Sequence, residues 1–213
     1  MLRMCASYGL QIPAGEFESL FQFDERTSLS DIRDWLETHD GETVKPTGRV
    51  AKNMNPIVRE SDEGRVAELG WWGYLVGGLP SKFPSINTRS ERLVERPGGL
   101  KNRALAPASE WFEYQKPSKQ KWSFSVEDMG AFAIAAVTQK GKPADGEPVT
   151  CYSLVMQPAR EDLEFIHDRM PLLLPQSYFE EWLNPDAEPS RELIEAALDA
   201  GREMTARVRA HEA

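Results

Sequence analysis

Residues 131–157 read AFAIAAVTQKGKPADGEPVTCYSLVMQ, and this stretch decides the fold class. Its two apolar runs, Ala131–Val137 and Thr150–Met156, have the length of buried strands. Between them, Lys140-Gly141-Lys142-Pro143 places a glycine and a proline where a turn is expected. The stretch therefore predicts two strands separated by a turn.

The same alternation of apolar runs and turns covers residues 66–157. The further runs are Val66–Leu75, Ala104–Leu105, Trp111–Tyr114 and Trp122–Val126. Helical patterns lie outside this region, at 16–38, from Pro158 to Ile166 and from Ser190, a candidate N-cap, to Val208, while residues 39–65 are polar and irregular. Strands flanked by terminal helices predict one α+β domain with a central, mostly antiparallel sheet or open barrel.

Composition limits the class of protein. The chain has 213 residues, 40% of them hydrophobic, which excludes wholesale disorder and a collagen-like repeat. The longest apolar run, Gly130–Val137, is far shorter than the roughly 20 residues of a membrane helix. The N-terminus lacks a signal peptide, and Cys5 and Cys151 cannot make a disulfide framework. We therefore predict a cytoplasmic protein that does not span a membrane.

Charge is distributed unevenly along the chain. The net charge is −9, which argues against a general nucleic-acid coat protein. Residues 82–121 nevertheless hold nine basic and four acidic side chains, or about +5, and the remainder carries −14. Because salt screens exposed charges beyond roughly 10 Å, this basic stretch can form a local phosphate track, or it is simply a solvated face.

Cys5 is the first candidate for chemistry. If translation starts at Met4 and that methionine is removed, Cys5 becomes the N-terminal residue. Its thiol and its α-amine would then sit on adjacent carbons, a pair that condenses with an aldehyde to a thiazolidine. The alternative is a buried structural cysteine.

Three further side chains are candidates, each with a plain alternative. His167 is a general acid or base, or a hydrogen-bonded histidine at a helix end. Glu113 alternates with aromatic residues and is a desolvated acid or a rim residue, and Asn87 is a turn residue or an amide that holds a reacting oxygen. Three scattered histidines and two distant cysteines exclude a zinc site, and no phosphate loop, nucleophile elbow or zinc-protease motif is present.

The order of the motifs is similar to that of a known family. In sequence they are Met4-Cys5, Trp72-Gly73-Tyr74, Ile86-Asn87-Thr88-Arg89, Leu105-Ala106-Pro107-Ala108 leading to Trp111-Phe112-Glu113, and His167-Asp168-Arg169-Met170-Pro171. This order resembles the SOS-response-associated peptidase (SRAP) family of abasic-site processing proteins. Pro46-Thr47 and Glu91 also match places in the family pattern. The resemblance covers residues 4–184 as one SRAP-like domain and leaves 185–213 as a C-terminal helix packed on it or appended to it.

The resemblance implies a covalent sensor of abasic sites in single-stranded DNA. N-terminal Cys5 would attack the deoxyribose aldehyde through its α-amine, and its thiol would close a thiazolidine. Asn87 would orient the N-terminus or the sugar oxygen, Glu113 would move protons, and His167 would act as acid or base. The family name also implies autoproteolytic removal of the residues before Cys5, and abasic-site lyase activity accompanies it.

The resemblance also implies the partners and the DNA contacts. The partner is single-stranded DNA containing abasic sites, bound at the nucleoid when DNA is damaged, by a monomer without metal or cofactor. Arg89 and Arg169 would hold phosphates, Arg96 and Pro46 would join the DNA surface, and Trp72 would offer a stacking surface.

Some positions depart from the family pattern. Met1-Leu2-Arg3 precedes Met4, so Cys5 becomes terminal only by initiation at Met4 or by self-cleavage. Ala6-Ser7 replaces the family's Gly-Arg and removes one arginine, while Tyr114 stands in place of a tryptophan. The alternative function is therefore an SRAP-fold module that binds DNA non-covalently or binds protein and has lost the chemistry.

Overall fold

The computed structural model describes residues 5–48, 50–62, 64–81 and 85–213. The α-helices are α1 (Ala14–Phe21), α2 (Ser30–Thr38), α3 (Ser90–Glu95), α4 (Phe179–Leu183), α5 (Arg191–Ala200) and α6 (Arg202–Ala206). The first strands are β1 (Tyr8–Gly9), β2 (Thr43–Val44), β3 (Asn55–Ser61), β4 (Gly64–Trp72), β5 (Leu75–Val76), β6 (Leu79–Pro80) and β7 (Asn87–Arg89). The others are β8 (Arg103–Ala108), β9 (Glu110–Tyr114), β10 (Lys121–Val126), β11 (Phe132–Gly141), β12 (Val149–Pro158), β13 (Arg169–Pro171), β14 (Leu173–Leu174) and β15 (Val208–Glu212).

A closed ring of strands forms the centre of the fold. Strands β4, β3, β8 and β11 are neighbours in one sheet, and β12 pairs with both β11 and β4. The β11–β12 pair is antiparallel, as predicted from the opening stretch, whereas β12 runs parallel to β4, with Cys151 opposite Trp71. The expected α+β class with a central, mostly antiparallel sheet is therefore confirmed, and the barrel is closed where an open one was expected.

The second sheet, in the order β15-β10-β9-β1-β2, packs against this barrel. Trp111 of β9 stacks on Phe124 at 5.0 Å between ring centroids and meets Phe132 of β11 edge-on at 5.9 Å. Strand β8 is buried along its whole length, as is Phe132–Val137 of β11. A strand covered on both faces has no solvent side to carry polar residues, which explains the uninterrupted apolar run in the sequence.

The C-terminal segment differs from the single helix expected between Ser190 and Val208. Ser190 does cap α5, since its Oγ accepts a hydrogen bond from the backbone N–H of Leu193 at 3.1 Å. The helix ends at Ala200, and the next residue is glycine at a point where a β-carbon would lie 2.6 Å from the Leu173 carbonyl oxygen. After α6 the chain forms β15, which pairs antiparallel with β10 along five residues.

Two other expectations about local structure also change. The segment 39–65 was expected to be irregular, yet β3 forms there by antiparallel pairing with β4 over all seven of its residues. Arg59 and Glu68 add two hydrogen bonds of 2.8 and 3.0 Å across this pair. The helical pattern after Pro158 yields only a short 3-10 turn at Glu161–Leu163. No helix within the described ranges is long and apolar enough to cross a membrane.

Candidate active site

Cys5 and Asn87 are brought together by the junction of the two sheets. Cys5 lies just before β1, and Asn87 begins β7, which pairs in parallel with β12 so that Asn87 lies opposite Leu154. The Asn87 Nδ2 donates a hydrogen bond of 2.7 Å to the Cys5 carbonyl oxygen. The Asn87 Oδ1 is buried and has no partner among the described residues, so it can accept a hydrogen bond from a group that enters the site.

Glu113 meets the backbone nitrogen of the same cysteine. Strand β9 pairs with β1, with Trp111 opposite Tyr8, and this register places Glu113 near the start of the chain. The Glu113 carboxylate accepts a hydrogen bond from the Cys5 backbone N–H, while its Oε1 is buried without a partner in the described part of the chain. Burial, with a further contribution from the charge of Asp168, raises the pKa of Glu113 well above its usual value. The carboxyl therefore keeps its proton to a higher pH than an exposed glutamate does.

The Cys5 side chain is held as a neutral thiol. It is completely buried, and its Sγ lies 3.5 Å from the Ser7 carbonyl oxygen. Burial raises the pKa of the Cys5 thiol, and the nearby Glu113 carboxylate raises it further. A neutral thiol is a weak nucleophile. The Cys5 nitrogen, by contrast, is hydrogen-bonded to the Glu113 carboxylate.

His167 is buried and uncharged. Its Nδ1 lies 3.1 Å from the Arg169 backbone nitrogen, from which it can accept a hydrogen bond, and 3.3 Å from the Arg169 carbonyl oxygen, to which it can donate one. Burial lowers the pKa of His167, although the adjacent Asp168 opposes that shift. The Nε2 is buried without a partner among the described residues. It is therefore available to a substrate oxygen.

Lys116 and Asp168 contribute charges that the sequence did not single out. Both affect the pKa of Glu113 and of His167, which indicates that these two side chains share one electrostatic environment. Lys116 follows Glu113 by three residues in an exposed turn, and Asp168 follows His167 directly. Their proximity in the sequence to Glu113 and His167 is the signal from which they could have been identified. No group of three His, Cys, Asp or Glu that could hold a metal occurs in the described ranges.

The residues expected to contact DNA differ in exposure. Arg89 and Arg96 are exposed, and Arg169 is partly buried in an ion pair with Glu91. Arg169 must therefore exchange a carboxylate for a phosphate if it binds DNA. Pro46 is buried, contrary to the expectation of a DNA contact.

Trp72 has no exposed surface, contrary to the expectation that it offers a stacking surface for a base. Its Nε1 donates to the Ile86 carbonyl oxygen at 2.9 Å, and its ring packs 5.0 Å from that of Tyr8. Its backbone N–H donates to the Oγ1 of Thr47 at 3.2 Å. Trp72 and the Pro46-Thr47 segment therefore support the chain that leads to Asn87 from inside the protein.

An open groove of about 580 Å³ starts at Asn87 and passes beneath α3. Its lining in the described ranges contains three cations, Arg92, Arg96 and Lys101, and no carboxylate. The net charge of the chain is −9, so this groove differs from the rest of the protein in its charge. Three of the nine basic residues of the stretch 82–121 therefore line one groove, and their charge will attract a polyanion. Hereafter this groove is called the basic groove.

The Glu113→Gln variant is expected to be more stable than the wild type at pH 8 and equally stable near pH 4. Because burial raises the pKa of Glu113, the native state keeps a proton that the unfolded chain releases above its ordinary value of 4.5, so wild-type stability falls as pH rises through that interval. Glutamine removes this loss, a gain of about 1 kcal/mol or more, which is about 2–4 °C in a chain of this size.

Thermal melting between pH 4 and pH 8 measures this difference. Glu37→Gln is the matched control, because Glu37 is exposed on α2 and its carboxylate stays hydrated in the native state. A difference between Glu113→Gln and the wild type that does not change with pH would show that the Glu113 carboxyl is not held protonated by its surroundings.

Comparison with known proteins identifies similar sequences and a matching family. The family model of the SOS response associated peptidase (SRAP) matches residues 4–211, so it includes the C-terminal helices and nearly all of β15. Abasic site processing protein YoqW of Bacillus subtilis is 27% identical over 183 residues, which are 80% of each chain. Abasic site processing protein YedK of Escherichia coli is 29% identical over 157 residues, or 67% of each chain.

Solved structures share the fold. A protein from Bacteroides thetaiotaomicron superposes with a TM-score of 0.71 at 19% identity, covering 98% of this chain and 91% of that one. A phage-related protein from Bordetella bronchiseptica superposes with a TM-score of 0.67 at 18% identity, covering 98% and 94%. The match of the family model over residues 4–211, together with this fold, shows that the chain belongs to the SOS response associated peptidase (SRAP) family.

Proposed function

We propose that this protein processes abasic sites in single-stranded DNA by linking itself covalently to them through Cys5. The observation that carries the proposal is that Asn87 and Glu113 both bind the backbone of Cys5. Asn87 binds the Cys5 carbonyl at 2.7 Å, and the Glu113 carboxylate, with its raised pKa, accepts from the Cys5 nitrogen. The names of the relatives YoqW and YedK support the same class of substrate.

The first step of the proposal makes Cys5 the N-terminal residue. Hydrolysis of the Met4–Cys5 peptide bond consumes one water and converts the Cys5 amide nitrogen into an α-amine. Initiation at Met4 followed by removal of that methionine has the same result. The nitrogen that becomes the amine is the one already hydrogen-bonded to Glu113. The carboxyl is therefore placed to take a proton from the ammonium and release the nucleophilic amine.

The second step joins the protein to the lesion. The amine adds to C1′ of the ring-opened sugar, and loss of one water leaves an imine. The Cys5 thiol then adds across the C=N bond, so that sulfur binds the carbon and the thiol proton passes to nitrogen. Glu113 supplies and removes protons in both stages, and the Nε2 of His167 forms a hydrogen bond with an oxygen of the sugar or the phosphate. From the free amine to the thiazolidine, the reaction releases one water in total.

The assay incubates the protein with an oligonucleotide that carries one abasic site. We expect a heat-stable band of lower mobility, and a protein mass that begins at Cys5. Failure to form this band with protein that begins at Cys5 would contradict the proposal. If DNA binding persisted in that case, the SRAP-fold module that binds without covalent chemistry would be the better description.

The Arg96→Gln variant is expected to bind single-stranded DNA less tightly and with a weaker dependence on salt. Arg96 is exposed and lines the basic groove. Loss of one phosphate contact lowers the slope of log K against log salt concentration by about 0.7 for a single strand. The slope is measured by fluorescence anisotropy with an undamaged oligonucleotide, so that no covalent step intervenes.

Arg202→Gln is the control for this measurement, because Arg202 is also exposed but lies on α6 outside the groove lining. It should keep the wild-type slope. An unchanged slope in Arg96→Gln would exclude Arg96 from the phosphate contacts.

A further inference from the structure

A second, smaller cavity continues the basic groove at one end of the barrel. Its volume is about 150 Å³, and Lys140 of β11, Thr150 of β12 and Arg59 of β3 contribute to its wall. The two depressions share part of their lining, namely Lys101, Asn102, Thr138 and Gln139. They therefore form one continuous depression that begins at Asn87 and ends at Lys140. The smaller part is called the end pocket below.

Two lysines are the cations of the end pocket that remain for an external anion. Arg59 pairs with Glu68 through two hydrogen bonds. Arg103 is buried, and its Nε, Nη1 and Nη2 donate to the carbonyl oxygens of Trp182, Leu100 and Asn184 inside the protein. The one carboxylate of the described lining, Glu60, pairs with Arg65 at 3.5 Å.

By contrast, Lys101 and Lys140 are exposed. The Nζ of Lys140 donates to the Thr150 Oγ1 at 2.9 Å, which holds the side chain in place. The Glu68 carboxylate interacts with both Arg59 and Lys140, so two positive charges share one negative charge and this wall keeps a net positive charge.

The register of β12 sets the distance from the active site to the end pocket. Asn87 lies opposite Leu154, and Thr150 lies four residues earlier on the same strand. At about 3.3 Å per residue this separation is about 13 Å. A stacked single strand advances about 3.4 Å per nucleotide, so the same length holds about four nucleotides.

We propose that Lys101 and Lys140 form a phosphate subsite for the strand that flanks the lesion, about four nucleotides from the abasic sugar on one side. This inference rests on the proposed function, since it takes the lesion to lie at Cys5 and Asn87. The subsite makes the protein sensitive to the length of single-stranded DNA on that side. A lesion with too short a flank loses contact with Lys140, and one with a longer flank gains it.

The test compares abasic oligonucleotides whose flank is lengthened from one to eight nucleotides, first on the 5′ side and then on the 3′ side. Initial crosslinking rates at low protein concentration are measured for the wild type, Lys140→Gln and Lys142→Gln. For the wild type we expect the rate to increase about threefold to tenfold once the flank on one side passes about four nucleotides, as two exposed ion pairs permit. Lengthening the flank on the other side of the lesion should not produce this increase in rate.

The ratio of the rate with a long flank to the rate with a short flank is the readout for each variant. Lys140→Gln should reduce this ratio to less than half the wild-type value and lower the salt slope for the long oligonucleotide by about 0.7. Lys142→Gln is the matched control, because it is exposed two residues further along and lies outside both linings, and it should keep the ratio.

The outcomes separate the two proposals. If Lys140→Gln keeps the wild-type ratio, or if Lys142→Gln reduces it equally, the phosphate subsite is wrong while the active site stands. If the wild type forms no crosslink with any flank, the proposed function fails. In that case the anisotropy of undamaged oligonucleotides of the same lengths still tests the subsite, and an absent length step there would overturn it too.

Discussion

A chain that begins at Met4 and carries Cys5→Ala is expected to form no heat-stable adduct with abasic single-stranded DNA, with a yield below about one hundredth of that of the matching Cys5 chain. Alanine also permits removal of the preceding methionine, so both chains present an α-amine at residue 5. The variant can form the imine but has no sulfur to close the ring. Its imine is hydrolysed on heating, whereas reduction with borohydride before heating should trap it.

This experiment distinguishes the role of the thiol from that of the amine. The heat-stable adduct requires the thiol, whereas the borohydride-trapped adduct requires only the amine. Cys151→Ala is the control for loss of a buried cysteine, since Cys151 is also fully buried but lies on β12, opposite Trp71 of β4. It should crosslink as the wild type does. A heat-stable adduct from Cys5→Ala in unreduced samples would refute the role of the thiol, and an adduct from Cys5 protein that retains residues 1–4 would refute that of the amine.

The Glu113→Gln variant is expected to slow crosslinking by about 10²–10³-fold, the range of a lost general acid–base group. Its affinity for undamaged single-stranded DNA should stay within about twofold, because Glu113 is buried against Cys5 and contributes nothing to the basic groove. Single-turnover crosslinking rates and anisotropy measure the two quantities. The wild-type rate should also depend on pH, rising as the carboxyl gives up its proton above its ordinary range.

Glu110→Gln serves as the control for Glu113. Glu110 lies three residues earlier on β9, so strand alternation places it on the opposite face. It should retain the wild-type rate. Equal losses of rate and of affinity in Glu113→Gln would assign this residue to binding or folding and not to proton transfer.

The active-site candidates were predictable because each lies in a short, ordered motif. Cys5, Asn87, Glu113 and His167 stand in the order and local context of the family pattern, and the match of the family model covers all of them. Local sequence also indicated the strands β11 and β12 and the cap at Ser190, since hydrophobic runs, turn residues and capping side chains act over a few residues.

The exposure of the aromatic and proline residues was not predictable in the same way. Trp72 belongs to a family motif, and that fact does not show whether its side chain faces DNA or the core. Its burial results from contacts with Tyr8 and Ile86, which are 64 and 14 residues away in the sequence. The same holds for Arg169, whose partner Glu91 is remote in the sequence. The identity of a residue is local, whereas its exposure is a property of the packed chain.

The sequence by itself determined the family, the α+β class and the set of candidate residues, because the hydrophobic pattern and the motifs are written in neighbouring positions. It also showed a basic stretch in an acidic chain. Only the tertiary structure decided how that charge is used, since the pairing of β12 with β11 and β7 brings Asn87, Lys101 and Lys140 into one depression. It likewise decided the protonation of Glu113, because the raised pKa of this carboxyl comes from desolvation, which no single segment of the chain can produce.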